Sequence, residues 1–142
     1  MIQRKYIRDS VTEQIQIVLN ADINGSGRLF GGRLVEWMDI VAAVVARRHS
    51  GHNVTTASID HLQFKSAAHI NSTVVLVGNI SYVGNTSMEV CVKAYIEQLN
   101  GSRDLVNQAY FVMVALDENE RPTKVPGIIL ETSEEEREWQ LA

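Results

Sequence analysis

The sequence predicts an α+β domain in which a five-stranded antiparallel sheet wraps around one long central helix. A single helical stretch follows a glycine-dotted turn, and its residues 40–46 (IVAAVVA) include no polar side chain. Five other stretches have the composition of strands, and the last three follow one another through short connections that contain glycine. A single sheet can cover such a helix only by curving around it.

The first predicted strand covers residues 11–19 (VTEQIQIVL). Its apolar residues alternate with glutamines, so that Ile15, Ile17 and Leu19 share one side. This alternation is typical of a strand with one buried face. The segment ADINGSG that follows is rich in Asn, Gly and Ser, which indicates a turn.

The predicted helix begins near Gly31 and Gly32 and ends at Gly51. Because it is apolar all round, we expect it to be buried on every side. Asp39 lies in its middle, and a carboxylate in an apolar wall has either a partner or a chemical role. The two glycines leave the N-terminal amides open to a visiting group, because no side chain blocks the approach.

Four more strands are predicted after the helix, over residues 53–64, 72–83, 86–98 and 105–117. In the third of these the alternation places one apolar set on a single face: Met88, Val90, Val92, Ala94 and Ile96. The tail, about residues 121–142, holds both prolines and is predicted to be partly helical from Ser133. At least one edge strand stays free, so we expect the sheet to pair with a second copy of the chain.

Composition limits the classes of function. The 142 residues fit one domain over 1–142, and the net charge of −4 without a basic tract argues against nucleic acid as a partner. A single cysteine, Cys91, cannot form an internal disulfide and fits a reducing compartment. We see neither a signal peptide nor a stretch long enough to span a membrane, and therefore expect a soluble cytoplasmic protein with no membrane partner.

The stretch LFGGRLVEWMDIVAA, with Asn24 six residues before Phe30, resembles a known signature. It is similar to that of the acyl-CoA hydrolase branch of the hotdog-fold thioesterases, which includes the bacterial short-chain acyl-CoA thioesterases and the brain acyl-CoA hydrolase. The matching positions are Asn24, Gly27, Leu29, Phe30, Gly31, Gly32, Leu34, Met38 and Asp39. The blocks VTTASIDHLQF, GNTSMEV and KVPGIILETSEEER resemble later parts of that family, in the same order and spacing.

The resemblance implies a hotdog fold and the hydrolysis of acyl-CoA to a free carboxylic acid and CoA. Asp39 would be the general base or the nucleophile, and the backbone N–H of Gly32 would hold the oxyanion. Asn24 from the partner subunit would position the water or the thioester, so that Asn24 and Asp39 meet across a homodimer interface. The family often forms hexamers, in which three dimers make a ring.

The resemblance also implies a binding site for the CoA part of the substrate, with no separate cofactor. The hairpin-turn residues that would contact the pantetheine or the phosphates are Gly84, Asn85, Thr86 and Ser87. Thr56 would line the acyl pocket. The connection after the second strand departs from the family pattern, because Ala67, Asn71 and Ser72 replace its usual Pro and Gly-Asp.

Structural explanations stand beside these roles. Asp39 could cap a neighbouring turn, the glycine pair could serve only close packing, and Asn24 is a common turn residue. The four histidines form no metal-binding pattern, so we predict no metal. Cys91 lies between apolar neighbours and is expected in the core, and the absence of a G-x-S-x-G motif argues against a serine hydrolase.

Two other functions fit the same scaffold. A non-catalytic acyl-CoA-binding sensor is the alternative to the thioesterase, and the presence of both Asn24 and Asp39 favours the enzyme. A dehydratase is less favoured, because no histidine stands at the start of the helix to act as a base.

Overall fold

The computed structural model describes residues 3–142 of the chain. Short 3-10 turns at Ile7–Asp9 and Asn20–Asp22 flank the second strand. The helices and strands follow in this order: β1 (Arg4–Tyr6), β2 (Thr12–Ile17), α1 (Gly31–Ser50), β3 (Asn53–Phe64), β4 (Thr73–Val83), β5 (Ser87–Glu97), β6 (Arg103–Leu116), β7 (Gly127–Ile129) and α2 (Ser133–Leu141).

The main sheet has five antiparallel strands in the order β2-β4-β5-β6-β3, and α1 packs on one of its faces. This confirms the predicted hotdog architecture and the predicted strand positions. The helical segment predicted from Ser133 is α2. The parallel pair formed by β1 and β7 was not predicted, since strands of three residues are too short to show a period.

The core lies between α1 and the sheet. The apolar alternation of β5 is confirmed, because Met88, Val90, Val92 and Ala94 are buried and Ile96 packs against the same cluster. The helix contributes its own buried set: Leu34, Trp37, Met38, Val41, Ala42, Val45 and Ala46.

Two burial expectations are wrong for the single chain. The helix is not covered on every side, because Ile40 is 47% exposed in the middle of α1. Ile15 and Ile17 in β2, and Leu19 just after it, are 54–60% exposed rather than half-buried. Alternation identifies a strand but not which of its faces meets the helix. Gln14 and Gln16 pair with the core residues Leu76 and Val74 of β4, so the glutamine side of β2 faces the helix.

Strand β3 is the most exposed long element of the sheet. It lies at the sheet edge, pairs only with β6 among the described strands, and has 11 exposed residues out of 12. Register shifts interrupt the pairing between Thr56 and Ser58 and between Asp60 and Gln63, and His61 has a φ of 54°. No helix within residues 3–142 is long and apolar enough to cross a membrane.

The C-terminal end of α1 is closed by several hydrogen bonds. Gly51 adopts a left-handed conformation, with φ 73°, and its N–H donates to the Arg47 carbonyl at 2.8 Å. The His49 ring donates from Nε2 to the Pro126 carbonyl at 2.7 Å, which ties the helix to the segment before β7. Arg48 donates to the Val11 carbonyl at 3.2 Å. Burial lowers the pKa of His49 below its ordinary value.

Candidate active site

Asp39 is held by a side chain from the edge strand. The Thr56 hydroxyl donates a hydrogen bond of 2.7 Å to Asp39 Oδ1, which joins the middle of α1 to β3. Thr56 also approaches the Met113 sulfur at 3.4 Å. Asp39 is only half-buried and Thr56 is exposed, so the expectation of a fully buried carboxylate does not hold in the single chain. One carboxylate oxygen is thereby oriented, and the other is left for a reactant.

Asn24 organises the turn that leads to the helix. Its Oδ1 accepts hydrogen bonds from the backbone N–H of Ser26 at 2.9 Å and of Arg28 at 3.3 Å. The Asn24 N–H donates in turn to the Arg28 carbonyl at 2.8 Å. The turn role considered for Asn24 is therefore present. This geometry fixes the side chain at the entrance to α1, and its amide nitrogen can still serve a ligand.

The N-terminal end of α1 presents backbone amides. Phe30 is the N-cap residue and makes no side-chain capping bond, and the first turn has no acidic side chain. Within residues 3–142, no acceptor is found for the N–H of Gly31 or Gly32. A Cβ atom added at Gly32 would lie 2.7 Å from the Phe30 ring. Free amides at the positive end of the helix dipole suit a developing oxyanion.

A pocket of about 350 Å³ opens beside these amides. We call it the N-terminal pocket, and its polar lining residues are Asn24, Arg28 and Ser66. The remaining lining residues are Leu29, Gly31, Leu34, Phe64, Ala67, Ala68, Val74 and Val106. An apolar cleft with a few polar groups is typical of a site for a small organic ligand. Neither Asp39 nor Thr56 lines it.

The predicted residues therefore fall into two groups within one chain. Gly32 and Asp39 are seven residues apart on α1, which corresponds to about 10 Å along the helix axis. Thr56 and Phe64 lie toward opposite ends of β3, separated by on the order of 20 Å. The Asp39–Thr56 pair and the Asn24–Gly32 turn cannot reach one thioester carbonyl together within a single chain.

The hairpin-turn residues 84–87 lie on the side of Asp39. The Gly84 N–H donates to the Ser87 carbonyl at 2.9 Å, as expected for the turn between β4 and β5. The next residue, Met88, stands opposite Met113, which in turn stands opposite Thr56. The turn and the Asp39–Thr56 pair thus occupy the same end of the sheet, two strands apart, and the N-terminal pocket lies at the other end.

The single cysteine, Cys91, lies in the core. Cys91 is buried in β5, and burial raises the pKa of its thiol to about 11. A protonated, buried thiol is a poor nucleophile. Its location agrees with the structural role expected for it.

Sequence reasoning did not single out two residues near the pocket. Phe64 provides one wall, and Asn107 lies fully buried in β6 directly opposite it. A signal for Asn107 was present, because it shares the odd-numbered register of the buried residues Ala109, Phe111 and Met113. Core-facing positions are usually apolar, so a polar residue at such a position is a signal that can be read from the sequence.

A family model described as the thioesterase superfamily matches residues 26–101, which include α1, β3, β4 and β5. The chain belongs to this superfamily. Membership confirms the predicted family and the predicted enzyme class, a thioesterase.

Relatives match over most of the chain. An uncharacterized acyl-CoA thioester hydrolase of Bacillus subtilis, YkhA, is 34% identical over 134 residues, which are 94% of this chain and 78% of that protein. Several mammalian relatives are longer, and the chain spans less than a quarter of their length.

Solved structures are also similar. An apo-hexameric acyl-CoA thioesterase is 38% identical, with a TM-score of 0.93 over 98% of this chain and 90% of that one. The acyl-CoA hydrolase of Staphylococcus aureus, solved with butyryl-CoA and CoA, is 32% identical, with a TM-score of 0.91 over 97% of this chain and 84% of that one.

The Staphylococcus aureus hydrolase has also been solved with single alanine substitutions of an asparagine, an aspartate and a threonine. In that protein the asparagine precedes the aspartate by 15 residues, and the threonine follows the aspartate by 17. Asn24, Asp39 and Thr56 have the same two separations in this chain. The three positions substituted in the relative thus have counterparts of the same residue type here.

Proposed function

We propose that this protein hydrolyses acyl-CoA thioesters to a free carboxylic acid and CoA. Asp39 of one subunit acts as general base or nucleophile, and the partner subunit supplies both the backbone N–H of Gly32, which binds the oxyanion, and Asn24, which positions the water or the thioester. The observation that carries this proposal is the 2.7 Å hydrogen bond from Thr56 to Asp39. It supports the proposal because it orients the one carboxylate whose spacing to Asn24 and Thr56 matches the residues substituted in the related hydrolase.

The chemistry follows from the charges that develop during thioester hydrolysis. Attack on the carbonyl carbon places negative charge on the carbonyl oxygen, and the free amides at the start of α1 stabilise that charge. The carboxylate of Asp39 either removes a proton from the attacking water or attacks the carbon itself. In both routes the Thr56 hydroxyl holds Oδ1, so that Oδ2 meets the reactant.

Pairing of two copies through β3 would complete the site. A two-fold interface places the same strand of each copy side by side in opposite directions. The Phe64 end of one β3 then meets the Thr56 end of the other, so that Asp39 of one subunit approaches the N-terminal pocket of the next. The exposed apolar side chains of β3, Ile59, Leu62 and Phe64, support such an interface.

We extend this proposal to a hexamer in which three dimers form a ring. The related apo-hexameric thioesterase supports it, and so do the exposed apolar side chains of Ile15 and Ile17, which lie on the strand farthest from β3, and of Leu19 just after that strand. The CoA part of the substrate is proposed to contact residues 84–87, which lie at the Asp39 end of the sheet. We expect the reaction to take place in the cytoplasm, in agreement with the free cysteine.

Subunit complementation tests this proposal. Asp39→Asn and Asn24→Ala are each expected to lower kcat/KM for a short acyl-CoA, by about 1,000-fold and about 100-fold respectively. When the two inactive variants are unfolded together and refolded as a mixture, half of the dimers are mixed and each regains one intact site. Thiol release should therefore recover to about a quarter of the wild-type rate.

The matched control joins both substitutions in one chain, and this double variant is mixed with wild type. Sites shared between subunits predict about a quarter of the wild-type rate from that mixture, whereas sites within single chains predict about half. Failure of the two single variants to complement would refute the shared site. If the wild type binds acyl-CoA esters without releasing thiol, the protein is a non-catalytic acyl-CoA-binding sensor and the proposed hydrolase function is wrong.

A further inference from the structure

The N-terminal pocket changes from polar at its opening to apolar at its inner end. Its three polar lining residues, Asn24, Arg28 and Ser66, are exposed and therefore lie at the opening. Four of its apolar lining residues are at most 6% exposed and close the inner end: Leu34, Ala68, Val74 and Val106. A cavity of this kind accepts an apolar chain and leaves polar groups of the ligand at the opening.

A bulge in β6 turns Val106 into this pocket. Ala94 of β5 pairs with Asn107, whereas the next residue, Tyr95, pairs with Leu105, so Val106 is an extra residue in β6. Asn107 is buried, and regular alternation from it would send Val106 to the outer face of the sheet. Instead, Val106 lines the pocket and is only 3% exposed. Bulges that re-aim a side chain are common next to active sites.

The proposed reaction leaves this pocket to the acyl chain. The carbonyl carbon of a thioester carries two groups besides its oxygen, the sulfur of CoA and the acyl chain. Residues 84–87, which are proposed to contact CoA, belong to the subunit that provides Asp39, whereas the pocket belongs to the subunit that provides Gly32. Gly31, the neighbour of the proposed oxyanion donor, lines the pocket. A carbonyl oxygen held at these amides therefore directs the sulfur toward the Asp39 subunit and the acyl chain into the pocket.

We infer that Val106 is a specificity-determining residue that sets the longest acyl chain that the protein accepts. This inference rests on the proposed hydrolysis of acyl-CoA. A methylene group fills about the same space as a water molecule, about 30 Å³, so a pocket of about 350 Å³ holds on the order of ten chain carbons. A longer chain would have to displace the packed side chains at the inner end. The substrate class is therefore an acyl-CoA with an apolar chain of short or medium length.

Two substitutions that change the inner end in opposite directions test the inference. Wild-type protein is expected to have a higher kcat/KM for octanoyl-CoA than for dodecanoyl-CoA. Val106→Ala removes two carbons from the wall, which makes room for about two more chain carbons. The ratio of kcat/KM for dodecanoyl-CoA to that for octanoyl-CoA should therefore rise about tenfold in this variant. Ala68→Val adds two carbons to the same wall and should lower the ratio by a similar factor.

Val112→Ala is the matched control, because Val112 lies in the same strand but does not line the pocket. It should leave the ratio unchanged. A loss of folded protein would lower both kcat/KM values together, whereas a length limit moves their ratio up in Val106→Ala and down in Ala68→Val. The inference is overturned by an unchanged ratio in Val106→Ala, or by a wild-type protein that hydrolyses dodecanoyl-CoA as efficiently as octanoyl-CoA.

Binding measurements separate this inference from the proposed function. If wild-type protein hydrolyses neither ester, the proposed function fails. Calorimetric titration of wild type and of Val106→Ala with octanoyl-CoA and dodecanoyl-CoA then still decides whether Val106 limits the length of the bound chain. Equal affinity ratios in the two proteins would refute that limit.

Discussion

The two ends of helix α1 are built in opposite ways. At the N-terminal end, Phe30 provides no capping side chain, and the first two residues are glycines with free amides. At the C-terminal end, Gly51 closes the helix with a left-handed turn, and His49 and Arg48 donate to carbonyls of other segments. The N-terminal end leaves its backbone amides open, whereas the C-terminal end is tied by hydrogen bonds to neighbouring segments.

This difference separates stability from function along a single element. A helix end without a cap costs free energy, and glycine is the poorest helix former after proline. Such local violations are expected where a ligand takes the place of the missing partners. We therefore expect substitutions at the N-terminal end to change turnover with little loss of stability, and those at the C-terminal end to do the reverse.

The largest effect is expected from Gly32→Ala. The added methyl group would lie 2.7 Å from the Phe30 ring and would crowd the approach to the free amides. We expect kcat/KM for a short acyl-CoA to fall about 30-fold, by partial loss of the oxyanion site. Stability should not fall, since alanine favours a helix by up to about 1 kcal/mol over glycine. Steady-state kinetics and urea unfolding measure both.

Gly25→Ala is the matched control, because a Cβ atom there meets nothing within 4 Å. It should keep wild-type kinetics. Loss of stability in Gly32→Ala with unchanged turnover would remove the distinction between the two ends.

A smaller and opposite effect is expected from Gly51→Ala. Gly51 has a φ of 73°, a conformation that costs an alanine about 1–2 kcal/mol. The free energy of unfolding in urea should fall by that amount, while kcat per folded molecule stays unchanged. A drop in kcat with normal stability would show that the C-terminal end also takes part in turnover.

The smallest effect concerns pH. Burial lowers the pKa of His49 in the folded protein below its ordinary value of 6.5, so the unfolded chain binds a proton at higher pH than the folded chain does. The stability linked to neutral His49 is therefore present above pH 6.5 and is lost as the pH falls below it. The free energy of unfolding in urea, measured at several pH values between about 7.5 and about 5, where histidine titrates, will show this loss.

His49→Gln keeps a side-chain amide donor for the Pro126 carbonyl but cannot titrate. Its unfolding free energy should vary less with pH than that of the wild type, and His52→Gln, at an exposed position, should leave the wild-type slope intact. An identical slope in His49→Gln would assign the pH dependence to other groups.

The sequence predicted the elements of the sheet better than their faces. Alternation in β5 located both the strand and its buried side, because this strand lies in the middle of the sheet between β4 and β6. The same alternation misassigned β2, where the apolar side points away from the helix. An edge strand can use its apolar face for a partner molecule, and a single sequence does not reveal which use applies.

The site shows a similar limit. The helix, its glycines and Asp39 could be located because they are close in sequence, and the family resemblance supplied their proposed roles. The hydrogen bond from Thr56 could not be predicted, because Thr55 and Thr56 are adjacent and similar. Register and a bulge near Ser58 decide which one meets Asp39. Asn107 could have been identified by its position in the alternation of β6.

The open edge of β3 has a consequence for the newly made chain. A strand of 12 residues with a free edge and exposed Ile59, Leu62 and Phe64 is a template for wrong pairing as well as right. If two copies pair through β3 as proposed, a folded chain that is still unpaired is the species most prone to aggregate during synthesis. Cellular yield should depend on how quickly chains encounter one another, and chaperones that cover sheet edges would help most when the chain is scarce.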